Sequence, residues 1–172
     1  MVKALPTVRW RRPLPKEVGL YMDKTALLTQ YGKWEGLLME LDTKQKVLLA
    51  LYAEYQKDLP NMREIRADTL GLTKDVFNVA IEKLQNEGFI RDVNIAYAGR
   101  GPYPFDVKID HCKLTRYGIE YVENKLQIEP TLSGTEKAKS VAKKVAEWGW
   151  EQGKDFCAKV LTELIKGSTG VQ

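Results

Sequence analysis

The sequence predicts a mainly α-helical domain with one small β-hairpin, of the α+β class, followed by a helical extension. Apolar residues recur at helical spacing in three segments before Gly88. Two short segments with strand alternation then flank a glycine-rich turn, and another helical pattern follows them. Because these patterns follow one another without a break, we assign residues 41–126 to a single domain.

Three helices begin this domain. Asp42 or Thr43 can cap a first helix over residues 44–56, and a short second helix is predicted over 62–70. Thr73 is a suitable N-cap for a third helix, which we expect to end at Gly88. The apolar residues of the third helix that we expect to face inward are Val76, Val79, Ala80 and Leu84.

A β-hairpin is predicted after the third helix. Residues 89–97 have the composition of a strand, and the glycines in 98–102 indicate a turn. Residues 105–110 alternate strictly between apolar and charged side chains, which is typical of a half-buried strand. A fourth helix then begins at Leu114-Thr115 and continues to Leu126.

This order of elements is that of a winged helix-turn-helix domain. The short link Gly71-Leu72 makes the second and third helices cross, as a helix-turn-helix unit requires. Residues 80–90 resemble the passage from a recognition helix into a wing, and residues 114–122 resemble the "LT-x-x-G-x-x-Y" opening that follows a wing. The domain also resembles the YjcQ family of small winged-helix proteins of Gram-positive bacteria and their phages. The resemblance implies a winged-helix fold and an association with mobile elements, without a defined site.

Residues 1–38 differ from the rest of the chain. Three prolines interrupt the stretch around the RWRR run of Arg9–Arg12, which indicates an irregular arm. Trp34-Glu35-Gly36 also back-translates to codons that can contain a purine-rich ribosome-binding signal, at a spacing suited to initiation at Met39. Residues 1–38 are therefore either an irregular arm or a translated leader, with Met39 as the natural start.

Three segments follow the domain. We predict a linker over 127–134, a C-terminal helix over 135–166 and a tail over 167–172. The helix either packs on its own domain or serves as a dimerisation helix. The residues that would form its interaction surface are Val141, Val145, Trp148, Trp150, Leu161 and Leu164.

The two tryptophans of this helix bear on its continuity. Trp148 and Trp150 are separated by about 200° around a helix axis, so one flat surface cannot bury both. Either the helix lies between two surfaces, or it breaks at Gly149 or Gly153.

Charge and cysteine content limit the class of protein. The net charge of +4 is local, because residues 1–38 carry seven Lys and Arg against three Asp and Glu. No apolar run is long enough to span a membrane, and no secretory signal precedes the domain. Cys112 and Cys157 are far apart and outside any metal-binding spacing, which favours a reducing cytoplasmic location.

The sequence offers little for catalysis. The single histidine, His111, lies beside Cys112 at the end of a predicted strand, where neighbouring side chains point to opposite faces. Paired carboxylates, a phosphate-binding glycine loop and metal-ligand spacing are not apparent. We therefore expect a non-enzymatic protein without a metal or cofactor.

Candidate contacts to double-stranded DNA lie mainly on the third helix, which would enter the major groove. Asn78 could make a bidentate contact to adenine, and Lys74 or Lys83 could meet phosphate. Asp75 and Glu82 oppose such contacts by their charge. The other candidates are Arg100 at the wing tip, for a minor groove, and Arg63 and Arg66 on the second helix, for backbone phosphates.

Two functions from different classes remain open. The first is a DNA-binding winged-helix protein, dimeric through its C-terminal helix, that acts as a regulator or accessory protein of a bacterium, phage or mobile element. The second is a winged helix that binds a protein partner, for example a host complex, and does not bind DNA. The neutral charge balance of residues 39–172 and the acidic residues on the third helix favour the second.

Overall fold

The computed structural model of the protein describes residues 41–168. This part of the chain is mainly α-helical with short antiparallel strands, which confirms the predicted α+β class. The interpretation of residues 1–38 as an arm or leader, and the end of the predicted tail beyond residue 168, lie outside the described residues.

Five α-helices and four short strands form the described part of the chain. The helices are α1 Thr43–Tyr55, α2 Lys74–Asn86, α3 Arg116–Leu126, α4 Gly134–Glu147 and α5 Glu151–Ser168, and the strands are β1 Ile90–Arg91, β2 Asn94–Ala96, β3 Asp106–Lys108 and β4 Lys113–Leu114. α1 starts with a capping box, in which the Asp42 side chain accepts from the Lys44 N–H (2.6 Å) and Gln45 Oε1 accepts from the Asp42 N–H (3.1 Å). The predicted starts of the first and third helices are confirmed.

The predicted second helix is instead two 3₁₀ turns, Met62–Glu64 and Asp68–Leu70. Local side-chain hydrogen bonds explain the difference. The Thr69 hydroxyl accepts from the Arg66 N–H (3.0 Å) and donates to the Arg66 carbonyl (2.8 Å), so it binds backbone groups that a longer helix would pair.

The buried face of α2 is shifted from the predicted one. Ala80 and Leu84 are buried as expected, but Val76 is 44% exposed and Val79 is half-buried. Phe77 and Ile81 are buried in their place. The true apolar stripe runs through positions 77, 80, 81 and 84, about one residue out of phase with the predicted stripe.

The hairpin consists of β2 and β3, which pair antiparallel with Ile95 opposite Val107. The predicted long first strand is split, because Asp92 adopts a left-handed conformation (φ 63°) between β1 and β2. β1 pairs separately with β4, placing Ile90 opposite Leu114, and the sequence did not predict this second ladder.

The C-terminal helix breaks at Gly149, whose φ of +70° ends α4 before α5 begins. This finding settles the predicted alternatives in favour of a break. Val141, Val145 and Trp150 are buried in the common core, so their interpretation as an interaction surface is wrong. The extension packs on its own domain because α5 contacts both α1 and the second 3₁₀ turn.

Three other residues of the expected interaction surface, Trp148, Leu161 and Leu164, are half-buried. The predicted linker before α4 is also ordered around a buried Ile128. Within residues 41–168, no helix is long and apolar enough to cross a membrane.

Candidate nucleic-acid interface

A polar stripe of α2 attaches the hairpin to the helix. The Asn78 amide nitrogen donates to the carbonyl oxygens of Pro104 (3.1 Å) and Phe105 (3.2 Å). Near the other end of α2, Gln85 Oε1 accepts from the Val93 N–H (3.0 Å). Helical spacing places these side chains on the same side of α2, and the β-hairpin therefore lies along this side of the helix.

Asn78 is only 1% exposed, so the predicted adenine contact through this side chain is wrong. Pro102 and Pro104 lack backbone N–H groups, which leaves this loop with more acceptors than donors. A buried amide on the facing helix satisfies two of those acceptors. The two prolines, four to six residues after the hairpin turn begins, were the sequence signal for this contact.

Lys74 and Glu82 extend the same attachment. The Lys74 ammonium lies 3.2 Å from the Asp106 carboxylate and 4.9 Å from the centre of the Phe105 ring. The Tyr97 hydroxyl donates to the Glu82 carboxylate, and this hydrogen bond raises the pKa of Tyr97 above its ordinary value. Glu82 and Lys74 therefore contact residues of the hairpin instead of projecting freely from α2.

The two predicted arginines near the 3₁₀ turns are both in exposed ion pairs. Arg63 Nε lies 2.5 Å from Asp110, at the end of the hairpin, and Arg66 forms two hydrogen bonds with Asp68 (2.8 and 3.1 Å). Their side chains are 72% and 63% exposed. Pairs of this kind contribute little to stability, so both arginines can exchange partners readily.

Lys83 and Arg100 are the predicted site residues whose charges are uncompensated. Neither has an ion-pair partner among residues 41–168. Arg100 lies exposed in the hairpin turn. Lys83 lines a surface groove between the start of α1 and α2, to which the hairpin contributes Tyr103. Asp75, which the sequence predicted to oppose DNA binding, lines the same groove.

Exposed aromatic residues flank Arg100 along the chain. Tyr97, Tyr103 and Phe105 are 54%, 61% and 62% exposed, respectively. The alternation of residues 105–110 suggested that Phe105 would be buried, but burial along this strand decreases towards the turn: Ile109 is buried, Val107 half-buried and Phe105 exposed. The strand alternation therefore did not predict that Phe105 is exposed.

The thiols are unsuited to chemistry at the surface. Cys112 and Cys157 are buried, and burial raises the pKa of each to about 12. His111 is exposed although its neighbour Cys112 is buried. In the part of the chain from Leu41 to Ser168, His, Cys, Asp and Glu side chains do not group into a metal-binding cluster.

Comparison with known proteins assigns the chain to a family. The model of the family described as "YjcQ protein" matches residues 45–148, which confirms the resemblance predicted from the sequence. No curated protein and no solved structure matches the chain. The matched segment covers more than half of the sequence and runs from the first turn of α1 to the end of α4, so the chain belongs to the YjcQ family.

Proposed function

We propose that the chain is a winged-helix protein that binds double-stranded DNA, as a regulator or accessory protein of a bacterium, phage or mobile element. In this architecture a recognition helix and the adjacent hairpin, or wing, face the nucleic acid. The observation that carries the proposal is that Lys83 on α2 and Arg100 on the hairpin turn are exposed without an ionic partner among the described residues. A cytoplasmic location is part of the proposal and fits the two unpaired thiols.

The proposed contacts differ from a simple recognition helix. Lys83 and Arg100 meet phosphate or the minor groove directly. Arg63, Arg66 and Lys74 contribute only by exchanging an exposed carboxylate for a phosphate, which costs little at the surface. Asn78 takes no part. Such a surface favours binding through the backbone and the groove shape over base-by-base recognition.

We expect the full chain to bind random-sequence duplex DNA with an affinity that falls steeply between roughly 50 and 200 mM salt, because counterions are released from phosphates. Fluorescence anisotropy measures this. Lys83→Ala should make the slope of the logarithm of the binding constant against the logarithm of the salt concentration shallower by about one, the change expected for one lost phosphate contact. Asp75→Asn should tighten binding at low salt, because it removes an unpaired negative charge from the groove that Lys83 lines.

A control separates the folded domain from the basic run Arg9–Arg12. Replacing Arg9, Arg11 and Arg12 together with alanine leaves every contact described above in place. If this variant loses all binding while Lys83→Ala and Arg100→Ala bind normally, the proposed contacts on α2 and the hairpin are wrong.

A second candidate is binding to protein through the outer surface of α2. It is favoured by Val76, which is 44% exposed and lines the groove together with the half-buried Val79 and the exposed Tyr103. Apolar side chains that share an exposed groove are typical of docking sites for protein partners. The simplest such partner is a second copy of the chain.

If the α2 groove forms a homodimer, sedimentation velocity should detect concentration-dependent dimers in the wild type. Val76→Glu should make the protein monomeric, because it places a charge in the apolar contact. Ala146→Glu, on the exposed side of α4, adds the same single negative charge and should leave the dimer unchanged. A wild type that stays monomeric at all concentrations would exclude the homodimer.

A further inference from the structure

The turn end of the hairpin combines three exposed aromatic rings with a cation. Tyr97 directly follows β2, Phe105 directly precedes β3, and Tyr103 and Arg100 lie between them. Each ring is more than half exposed. Exposed single hydrophobic residues are common, but three aromatic rings within nine residues concentrate π surface at one end of one element.

Two of these rings are held in place by α2. The Tyr97 hydroxyl is fixed by its hydrogen bond to Glu82, and the Lys74 ammonium lies 4.9 Å from the centre of the Phe105 ring. Each ring is therefore oriented before any ligand arrives and still presents most of its surface to solvent. A ring that is already ordered loses less conformational entropy on binding than a free one.

Two cations near the rings are available to an anionic ligand. Of the acidic residues in contact with this end of the hairpin, Glu82 is engaged by Tyr97 and Asp106 by Lys74. Lys83 and Arg100 have no such partner in the part of the chain that the structure describes, and Asp75 is the unengaged acid of the groove. The formal charges of these side chains balance, because the neutral Tyr97 hydroxyl leaves Glu82 its negative charge. Lys83 and Arg100 are nevertheless exposed cations without a carboxylate partner among residues 41–168, so each can meet a phosphate.

From these observations we propose that the turn end of the hairpin binds unpaired nucleotides of single-stranded DNA, stacking bases on Tyr97 and Phe105 while Arg100 and Lys83 meet the phosphates. Aromatic platforms beside a cationic track are the chemistry by which proteins bind single strands without reading their sequence. Intact duplex offers no free base face to these rings. The inference rests on the proposed DNA binding and extends it to a preference for unpaired DNA.

The test compares a fluorescent oligothymidylate with a duplex of the same length by anisotropy, using the full chain. We expect the single strand to bind more tightly than the duplex. Phe105→Ala should weaken single-strand binding roughly tenfold through the loss of one stacked base, and should change duplex binding less than twofold. Tyr117→Ala is the matched control, because Tyr117 is 57% exposed but lies on α3 against Phe89, away from the hairpin turn.

Two further variants distinguish stacking from apolar bulk. Phe105→Leu should lose affinity for the single strand as Phe105→Ala does, whereas Phe105→Trp should retain or increase it. If leucine preserves binding, base stacking is not the interaction and the inference is overturned. If Phe105→Ala instead alters sedimentation without altering DNA binding, the surface binds protein and the inference is likewise overturned.

The outcomes also separate this inference from the proposed function. Salt-sensitive duplex binding with no preference for the single strand would overturn the inference and leave the proposed function standing. Absence of binding to both DNAs would overturn both.

Discussion

Gly118→Ala is expected to lower the free energy of unfolding by about 3 kcal/mol, although alanine is the better helix former. A Cβ atom at position 118 would lie 2.2 Å from the carbonyl oxygen of Phe89 and 3.1 Å from its carbonyl carbon. That carbonyl cannot move aside easily, because it also accepts from the Thr115 N–H (3.0 Å). The added methyl group would therefore force α3 away from the segment that leads into β1.

Urea unfolding of the full chain measures this effect, and Gly167→Ala provides the control. Gly167 is also helical, in α5, but a Cβ atom there would meet nothing within 4 Å. Gly167→Ala should therefore leave stability unchanged or raise it by up to about 1 kcal/mol, through helix propensity alone. Equal stabilities for the two alanine variants would show that the contact between Gly118 and Phe89 is not restrictive.

The close approach of Gly118 to the Phe89 carbonyl gives a physical reason for the motif that the sequence identified only by resemblance. In the "LT-x-x-G" segment the Thr115 hydroxyl donates to the Gly88 carbonyl (2.7 Å) and accepts from the Gly118 N–H (3.0 Å). Thr115 thus caps α3 and binds the end of α2 at the same time. The glycine is needed because the backbone at Phe89 passes too close for any side chain.

Features that depend on neighbouring residues were predictable from the sequence. The start of α1 at Asp42 and the turn around Gly99 follow from capping and turn preferences. Thr73 occupies the expected N-cap position of α2, although its side chain makes no capping hydrogen bond. The break in the C-terminal helix was anticipated as one of two alternatives, since Trp148 and Trp150 could not share a face.

Features set by distant contacts were not predictable in the same way. Asn78 looked like an exposed polar residue of a recognition helix, because nothing within its own helix shows that two carbonyls at positions 104 and 105 face it. Val76 was expected inside because it lies at helical spacing from Val79 and Ala80, whereas packing against α1 buries the neighbouring Phe77 instead. The candidate site therefore changed more than the fold did.

A buried polar cluster joins three helices around Glu123. This carboxylate on α3 accepts from the Tyr52 hydroxyl of α1 (3.0 Å) and from the Lys137 ammonium of α4 (2.7 Å), both at Oε1. The Tyr52 residue is fully buried and Glu123 is 6% exposed. Burial and the hydrogen bond to Glu123 raise the pKa of Tyr52 well above its ordinary value, so its hydroxyl remains a donor.

Glu123→Ala should lower the free energy of unfolding by about 3–5 kcal/mol, because it leaves the Lys137 ammonium and the Tyr52 hydroxyl without their shared acceptor. Urea unfolding measures the loss. Glu120→Ala is the matched control in the same helix: its ion pair with Arg116 is exposed, and removing it should cost no more than about 1 kcal/mol.

A double-mutant cycle with Lys137→Met tests whether the loss comes from the stranded charge and not from the missing side-chain volume. If it does, Lys137→Met should cost much less when Glu123 is already alanine, and the double variant should be more stable than the sum of the single effects implies. Strictly additive losses would mean that the ion pair is not coupled. In that case α3 and α4 would be held together by apolar contacts such as those of the buried Val122 and Val141. The polar cluster would then be buried without adding to the stability of the fold.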